Sequence, residues 1–190
     1  MDIKNLLSSI AIILTFIAFI PYIRSILQNE IKPHTFSWIT WSSTTIIVFI
    51  AQLSEGGGAG AKPIGISGCI SIIIAILSYI KRADNSITKT DWIFFVIAMS
   101  AIPLWYFTSN PLLAVILLTS SDIIGFFPTI RKAYIKPFEE QIMFFNIIAT
   151  RNAISIAALE YYSLTTILFP AAIGLMCISF TTMIMIRRTN

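Results

Sequence analysis

Charged side chains are scarce in this sequence, and their scarcity argues against a soluble globular domain. Asp, Glu, Lys and Arg together make up 12% of the 190 residues, whereas a soluble domain usually carries about 25%. Cysteine is scarce too, and Cys69 and Cys177 both fall inside apolar runs. Two cysteines placed in this way form neither a disulfide framework nor a zinc site, so we expect both to be small core residues.

The residue patterns that carry enzyme chemistry are also missing from the sequence. His34 is the single histidine, and there is no nucleophile–base arrangement and no metal-ligand cluster. The glycine-rich stretch Glu55–Lys62, EGGGAGAK, lacks the strand–turn–helix context and the full spacing of a phosphate-binding loop. We therefore expect no enzyme activity, no cofactor and no metal.

Apolar residues, in contrast, make up 56% of the chain. They form seven runs of roughly 20 residues, the length that the hydrocarbon core of a bilayer requires of a spanning helix. The sequence therefore predicts an all-α integral membrane protein. The predicted spans are Asn5–Leu27, Thr35–Leu53, Pro63–Ile80, Thr90–Thr108, Pro111–Ile130, Glu140–Leu159 and Leu164–Ile186.

The basic residues stand at the ends of these runs, where they indicate orientation rather than a nucleic-acid partner. With seven spans, ten of them lie on one side and only Lys4 and Lys62 on the other. Because cytoplasmic loops are enriched in Lys and Arg, this predicts a cell (inner) membrane protein with its N-terminus outside and its C-terminus in the cytoplasm. The ten are Arg24, Lys32, Lys81, Arg82, Lys89, Arg131, Lys132, Lys136, Arg187 and Arg188.

An internal repeat links the two halves of the chain. The segment Phe19–Arg24, FIPYIR, matches Phe126–Arg131, FFPTIR, at an offset of 107 residues. The same offset takes Pro63 to Pro170, and an offset of 104 aligns the Lys-Pro pairs that begin at positions 32 and 136. Matching prolines and charges weigh more than matching isoleucines, so we predict two parallel three-helix repeats. The repeats are residues 1–82 and 110–190, joined by a linker helix at 83–109.

Two charged residues are predicted to lie at membrane depth. Asp122 is near the middle of the fifth span and Arg151 near the middle of the sixth. A charge at this depth is costly and by default marks a functional site. Asp122 is therefore a candidate proton-coupling group, and a purely structural Asp122–Arg151 ion pair is the alternative. Pro21 and Pro128 are candidate hinges because proline removes a helical hydrogen bond.

Four uncharged side chains are candidates for binding a solute, in addition to Arg151. Trp38 and Trp41 share one face of the second span, where Trp38 suits either the aromatic belt or a cavity and Trp41 favours a cavity. Asn146 and Asn152 lie in the sixth span, and their amides can both donate and accept hydrogen bonds. Interhelical hydrogen bonds are the alternative role for both asparagines.

With seven spans arranged three, one, three and a proline near the cytoplasmic end of spans one and five, the chain resembles the PQ-loop and SWEET transporter superfamily. Pro21-Tyr22 and Pro128-Thr129 stand in for the proline–glutamine pair of that family. The resemblance implies a cavity between two three-helix bundles that rock about the prolines to give alternating access. It also implies a proton-coupling role for Asp122, which looks like the protonatable aspartate of the cystine transporters. Ser67, Ser71 and Ser179 replace the asparagines of the sugar transporters, so a sugar is not implied.

These observations predict a transporter that carries a small polar solute across the lipid bilayer. Protons are the candidate coupled ion. A monomer is sufficient because the repeat supplies both halves of one pathway. Two alternatives are a non-transporting sorting or signalling receptor and a membrane assembly factor. Within the transporter class, Trp38 and Trp41 resemble the paired tryptophans of nicotinamide riboside transporters, which makes a vitamin a further alternative.

Overall fold

The computed structural model describes residues 2–30, 33, 35–81, 87, 89–135, 137–139 and 142–189, with side chains at 90, 91, 94, 127–129, 131, 132 and 139 outside the description. Among the residues used to predict orientation, Lys32, Arg82 and Lys136 lie outside the described residues, as do the side chains of Arg131 and Lys132. His34 lies outside them as well.

The described part of the chain is helical and contains no strand. Every predicted span contains a helix, and the observed ends differ from the predicted ones by a few residues. Short 3-10 turns precede α3 at Gly58–Ala61 and α7 at Pro137–Glu139. The helices are α1 Ile3–Leu27, α2 Thr35–Ser54, α3 Lys62–Ile80, α4 Lys89–Met99, α5 Ala101–Thr108, α6 Pro111–Ile135, α7 Ile142–Ala157 and α8 Leu164–Thr189.

The fourth predicted span is divided into α4 and α5, with the break at Ser100. Pro103 explains the position of the break. Proline has no backbone N–H and its ring collides with the carbonyl four residues earlier, which here belongs to Met99. The single helix predicted at residues 90–108 is therefore two short helices.

Within the described residues, four helical segments are long and apolar enough to cross a membrane: α1, α2, Gly58–Ile80 and α8. These helices fit an integral membrane protein, as the composition predicts. α7 is shorter than these four segments. Its 16 residues extend over about 24 Å at 1.5 Å per residue.

Helix packing does not follow the order of the chain. α3 packs against both α1 and α2, and α8 packs against both α6 and α7. The two groups meet crosswise, because α1 packs against α7 and α2 packs against α6. Small side chains allow the first of these approaches: Ser8, Ala11, Thr15 and Ala18 form the buried face of α1.

The glycine-rich turn between α2 and α3 closes one end of this bundle. Ala59 N–H donates to Glu160 Oε1 at 2.9 Å, and Ser8 Oγ donates to Ala59 O at 2.6 Å. Gly60 is buried against the end of α7, where a Cβ at position 60 would stand 2.6 Å from both Ser155 O and Leu159 N. The close backbone approach explains why glycine is needed here, and the turn is packed rather than loose.

Candidate functional site

Asp122 lies on the face of α6 that packs against α2. It is partly buried, and its side chain hydrogen-bonds with that of Thr44. An apolar cluster that includes Val48 of α2 and Leu118 of α6 holds the two helices together beside this pair. The predicted charged residue at membrane depth is therefore positioned by α2, a helix from the other half of the chain.

The Thr44 hydroxyl has two oxygen atoms within reach. Thr44 Oγ1 lies 3.0 Å from the Trp41 carbonyl oxygen, to which it donates, and it also hydrogen-bonds with the Asp122 carboxyl group. A hydroxyl both donates and accepts, whereas a carboxyl group donates only when it is protonated. The hydroxyl therefore suits either state of Asp122: it donates to an ionised carboxylate, or it accepts from a protonated carboxyl while donating to Trp41 O.

Trp41 lies one turn from Thr44 and also faces α6. A Cβ at Gly125 would lie 4.0 Å from Trp41 Nε1, so the missing side chain leaves room beside the indole. Asp122 and Gly125 are three residues apart and share one side of α6. The structure thus brings Trp41 and Asp122, two predicted site residues, to the same interface.

Trp38 is only 8% exposed and packs inside the bundle. Its ring lies 5.3 Å from that of Tyr22 and 6.4 Å from that of Phe19, both on α1, and Phe19 in turn contacts Phe144 of α7. Of the two roles predicted for Trp38, the aromatic belt is wrong, because the side chain is buried within the bundle. These rings fill the space between α1, α2 and α7 at the end of the bundle opposite the glycine-rich turn.

Arg151 and Asn152 are both buried in α7, at 5% and 1% exposure. Arg151 Nε and Nη1 and both amide atoms of Asn152 have no hydrogen-bond partner. The predicted Asp122–Arg151 ion pair is wrong, because Asp122 faces α2 and Arg151 Nε and Nη1 are unpaired. The physical reason is the packing order: α8 packs between α6 and α7, so these two helices do not face each other although they are consecutive in sequence.

Asn146 does not join this buried set. It is exposed and lines an outer groove with Leu14 of α1 and Thr150, whose hydroxyl donates to Asn146 O at 2.9 Å. Asn146 and Asn152 are six residues apart and point in different directions, since a helix turns 100° per residue. The two predicted solute ligands are therefore separated.

The predicted hinges both lie within helices. α1 continues through Pro21 and α6 through position 128, whose side chain is outside the described part. Since proline has no backbone N–H, Pro21 cannot donate the helical hydrogen bond to the Ile17 carbonyl oxygen.

Thr44, Thr119 and Gln52 are among the buried polar residues that were not singled out from the sequence. Thr119 Oγ1 and Gln52 Oε1 have no partner, while Gln52 Nε2 donates to Thr166 O at 2.7 Å. A glutamine inside an apolar run was a usable signal, and so was the three-residue spacing of Trp41 and Thr44. Ser67, noted above for its place in the third span, also has a buried hydroxyl without a partner.

In comparisons with known proteins, no protein-family model, no curated protein and no solved structure matches this chain. The class defined by the fold is an all-helical protein with apolar helices that fit a membrane.

Proposed function

We propose that this protein is a membrane transporter that carries a small polar solute by alternating access. The observation that carries the proposal is the crosswise packing of the helices. If α1 is exchanged with α6, α2 with α7 and α3 with α8, each of the main helix contacts becomes another observed contact. The α2–α3 contact becomes α7–α8, α1–α3 becomes α6–α8, and α1–α7 becomes α2–α6. This supports two parallel three-helix repeats, residues 1–82 and 110–190, with 83–109 as linker, and hence the resemblance to the PQ-loop and SWEET superfamily.

The Asp122–Thr44 pair belongs to only one of the two crosswise interfaces, the one between α2 and α6. At the repeat offsets of 107 and 104, Asp122 corresponds to Thr15 and Thr44 to Ile148. Thr15 and Ile148 are both buried, and Thr15 donates only to its own helix, at Ala11 O. One interface thus carries a protonatable group, while its counterpart is suited to close packing.

Buried polar atoms without partners support a solute in the interior. They lie on α2, α3, α6 and α7, and their desolvation is uncompensated within the protein. A polar solute supplies hydrogen-bond partners to such atoms when it enters. The residues are Gln52, Ser67, Thr119, Arg151 and Asn152.

Closure at both ends of the bundle supports an occluded state. The glycine-rich turn seals one end through Ala59 and Glu160, and the rings of Trp38, Tyr22 and Phe144 fill the other. Alternating access then requires the α1–α7 and α2–α6 interfaces to separate at one end at a time. Pro21 and Pro128 are the proposed hinges for this motion, because each breaks one helical hydrogen bond.

Asp122 is the proposed proton-coupling residue. A protonated carboxyl fits the Thr44 geometry, and an ionised one requires the hydroxyl to reorient. Protonation is thereby tied to a local rearrangement of the α2–α6 interface. Lys4 and Lys62 lie near the end sealed by the glycine-rich turn, whereas the other ten basic residues of the loops are predicted at the opposite end. Because cytoplasmic loops are enriched in Lys and Arg, we place the protein in the cell (inner) membrane with its N-terminus outside.

Two alternative functions lead to different expectations. A sorting receptor for a peptide carboxylate needs several arginines at depth, and Arg151 is the buried arginine among the described residues. An assembly factor without a ligand needs an interior whose polar atoms are paired, which is not the case for Arg151 and Asn152. A vitamin such as nicotinamide riboside fits Trp41 better than Trp38, whose ring is packed edge-on against Trp41 at 84°.

The experiment that tests the proposal is thermal unfolding of the purified protein against amino acids, sugars, nucleosides and vitamins at two pH values. A ligand that binds only the folded state adds about 2.7 kcal/mol at a hundredfold excess over Kd. We expect one class of compound to raise the Tm, by an amount that depends on pH. No rise with any class would contradict the transporter proposal.

A further inference from the structure

Arg151 is a buried cation without a described counter-charge. Its side chain is 5% exposed, and Nε and Nη1 have no hydrogen-bond partner. The nearby titratable group is the thiol of Cys177 on α8, which ordinarily carries no charge at neutral pH. Burying an unpaired charge is costly, so this side chain needs an anion that the fold does not supply.

Asn152 extends the polar surface next to Arg151. Its side chain is 1% exposed, and neither Nδ2 nor Oδ1 has a partner. Gly174 brings the backbone of α8 close to it, since a Cβ at Gly174 would lie 3.5 Å from the Asn152 Cβ. One residue thus offers unpaired cationic donors, and the next offers a neutral donor and a neutral acceptor.

We propose that Arg151 binds a carboxylate of the transported solute and that Asn152 binds a hydroxyl, amine or amide group on the same molecule. The inference rests on the proposed transport function and narrows its substrate to small organic carboxylates. A guanidinium matches a carboxylate with two parallel N–H···O bonds. The single negative charge of a carboxylate balances the positive charge of Arg151. A phosphate at neutral pH carries close to two negative charges and would leave excess negative charge in the membrane interior.

The first test needs no ligand and uses the Tm of the purified protein. Replacing an unpaired buried charge with an apolar side chain of similar length removes a desolvation cost. We expect Arg151→Met to raise the Tm by about 2–4 °C or more, while Arg24→Met, an exposed control, changes it by less than about 2 °C. A marked fall in the Tm with Arg151→Met would show that the fold itself pairs the charge, and this would overturn the proposal.

The second test uses matched pairs of compounds in which only one member has a carboxylate: gluconate and glucose, pantothenate and panthenol, nicotinate and nicotinamide, with inorganic phosphate alongside. We expect the carboxylate of at least one pair to raise the wild-type Tm and its neutral partner to have little effect. The rise should be lost in Arg151→Met and partly kept in Arg151→Lys, which retains the charge but not the planar geometry.

The outcomes separate the two proposals. A rise with neutral compounds alone, or one that persists in Arg151→Met, overturns the carboxylate site and leaves the transporter proposal standing. A rise with phosphate alone overturns the choice of carboxylate over other oxyanions. No rise with any compound contradicts the transporter proposal and, with it, the carboxylate site that rests on it.

Discussion

Asp122 on α6 and Thr44 on α2 hydrogen-bond across the interface between the two helices, and Thr44 Oγ1 also lies 3.0 Å from Trp41 O. Because a rotating hydroxyl both donates and accepts, Thr44 suits a protonated and an ionised Asp122 without any movement of the backbone. The Asp122–Thr44 pair is also one of the polar contacts between the first and second halves of the chain, because α2 and α6 belong to different halves. Four predictions follow from this pair and from the packed turn at the end of the bundle.

Asp122→Asn is expected to fold and to remove the pH dependence of solute binding. The amide has the shape of a protonated carboxyl and donates to Thr44 Oγ1 in the same way, but it does not titrate. The measurement is the solute-induced rise in Tm at two pH values, with Glu30→Gln, an exposed carboxylate, as control. Loss of folding in Asp122→Asn would instead indicate that an ionised Asp122 is required for the structure.

Thr44→Val is expected to lower the free energy of unfolding by about 1–3 kcal/mol, because it leaves the Asp122 carboxyl without its partner. Thr45→Val is the matched control: it is the next residue of α2 and points about 100° away along the helix. Denaturant or thermal unfolding of the two variants measures the difference. Equal effects at both positions would show that the Thr44–Asp122 contact contributes little to stability.

Gly60→Ala and Gly125→Ala are expected to act in opposite directions. At Gly60 the added Cβ would stand 2.6 Å from backbone atoms of α7, and overpacking of this kind costs about 1–3 kcal/mol. At Gly125 the nearest atom is Trp41 Nε1 at 4.0 Å, and alanine is favoured over glycine inside a helix by about 0.5–1 kcal/mol. A Tm that is equal in the two variants would be incompatible with the close approach at Gly60.

Glu160→Ala is expected to loosen the glycine-rich turn without unfolding the helices. Ala59 N–H loses its 2.9 Å hydrogen bond to the Glu160 carboxylate, which at this exposed position is worth about 1 kcal/mol. Hydrogen exchange in residues 56–61 should then rise by about fivefold. Glu55→Ala changes a carboxylate of the same turn and should leave the exchange rate unchanged; a similar increase there would remove the specific role of Glu160.

The apolar runs were sufficient to predict where the helices form. Length and hydropathy act locally, so each run became a helix with ends within a few residues of the prediction, except where Pro103 divides the fourth run. Trp41 and Asp122, which were both assigned to the site from the sequence, lie at the same α2–α6 interface in the structure. Each belongs to a short polar segment within an otherwise apolar helix.

The sequence was a poorer guide to contacts between helices. Asp122 and Arg151 were paired in the prediction because their helices are consecutive and antiparallel, but α8 packs between those helices and Asp122 faces α2. Asn146 and Asn152 looked equivalent by residue type, yet only Asn152 is buried. Trp38 suited either the aromatic belt or a cavity by its sequence position, whereas the rings of α1 cover it in the structure.

By itself the sequence determined the helical class, the apolar character that fits a membrane, and the positions of the polar residues along each helix. These follow from composition and from local spacing, which do not depend on distant parts of the chain. Only the tertiary structure decided the partner of Asp122 and the absence of one for Arg151 Nε and Nη1. A side chain's partner depends on which helices are neighbours in space, and in this bundle α1–α7 and α2–α6 are neighbours in space that are distant in sequence.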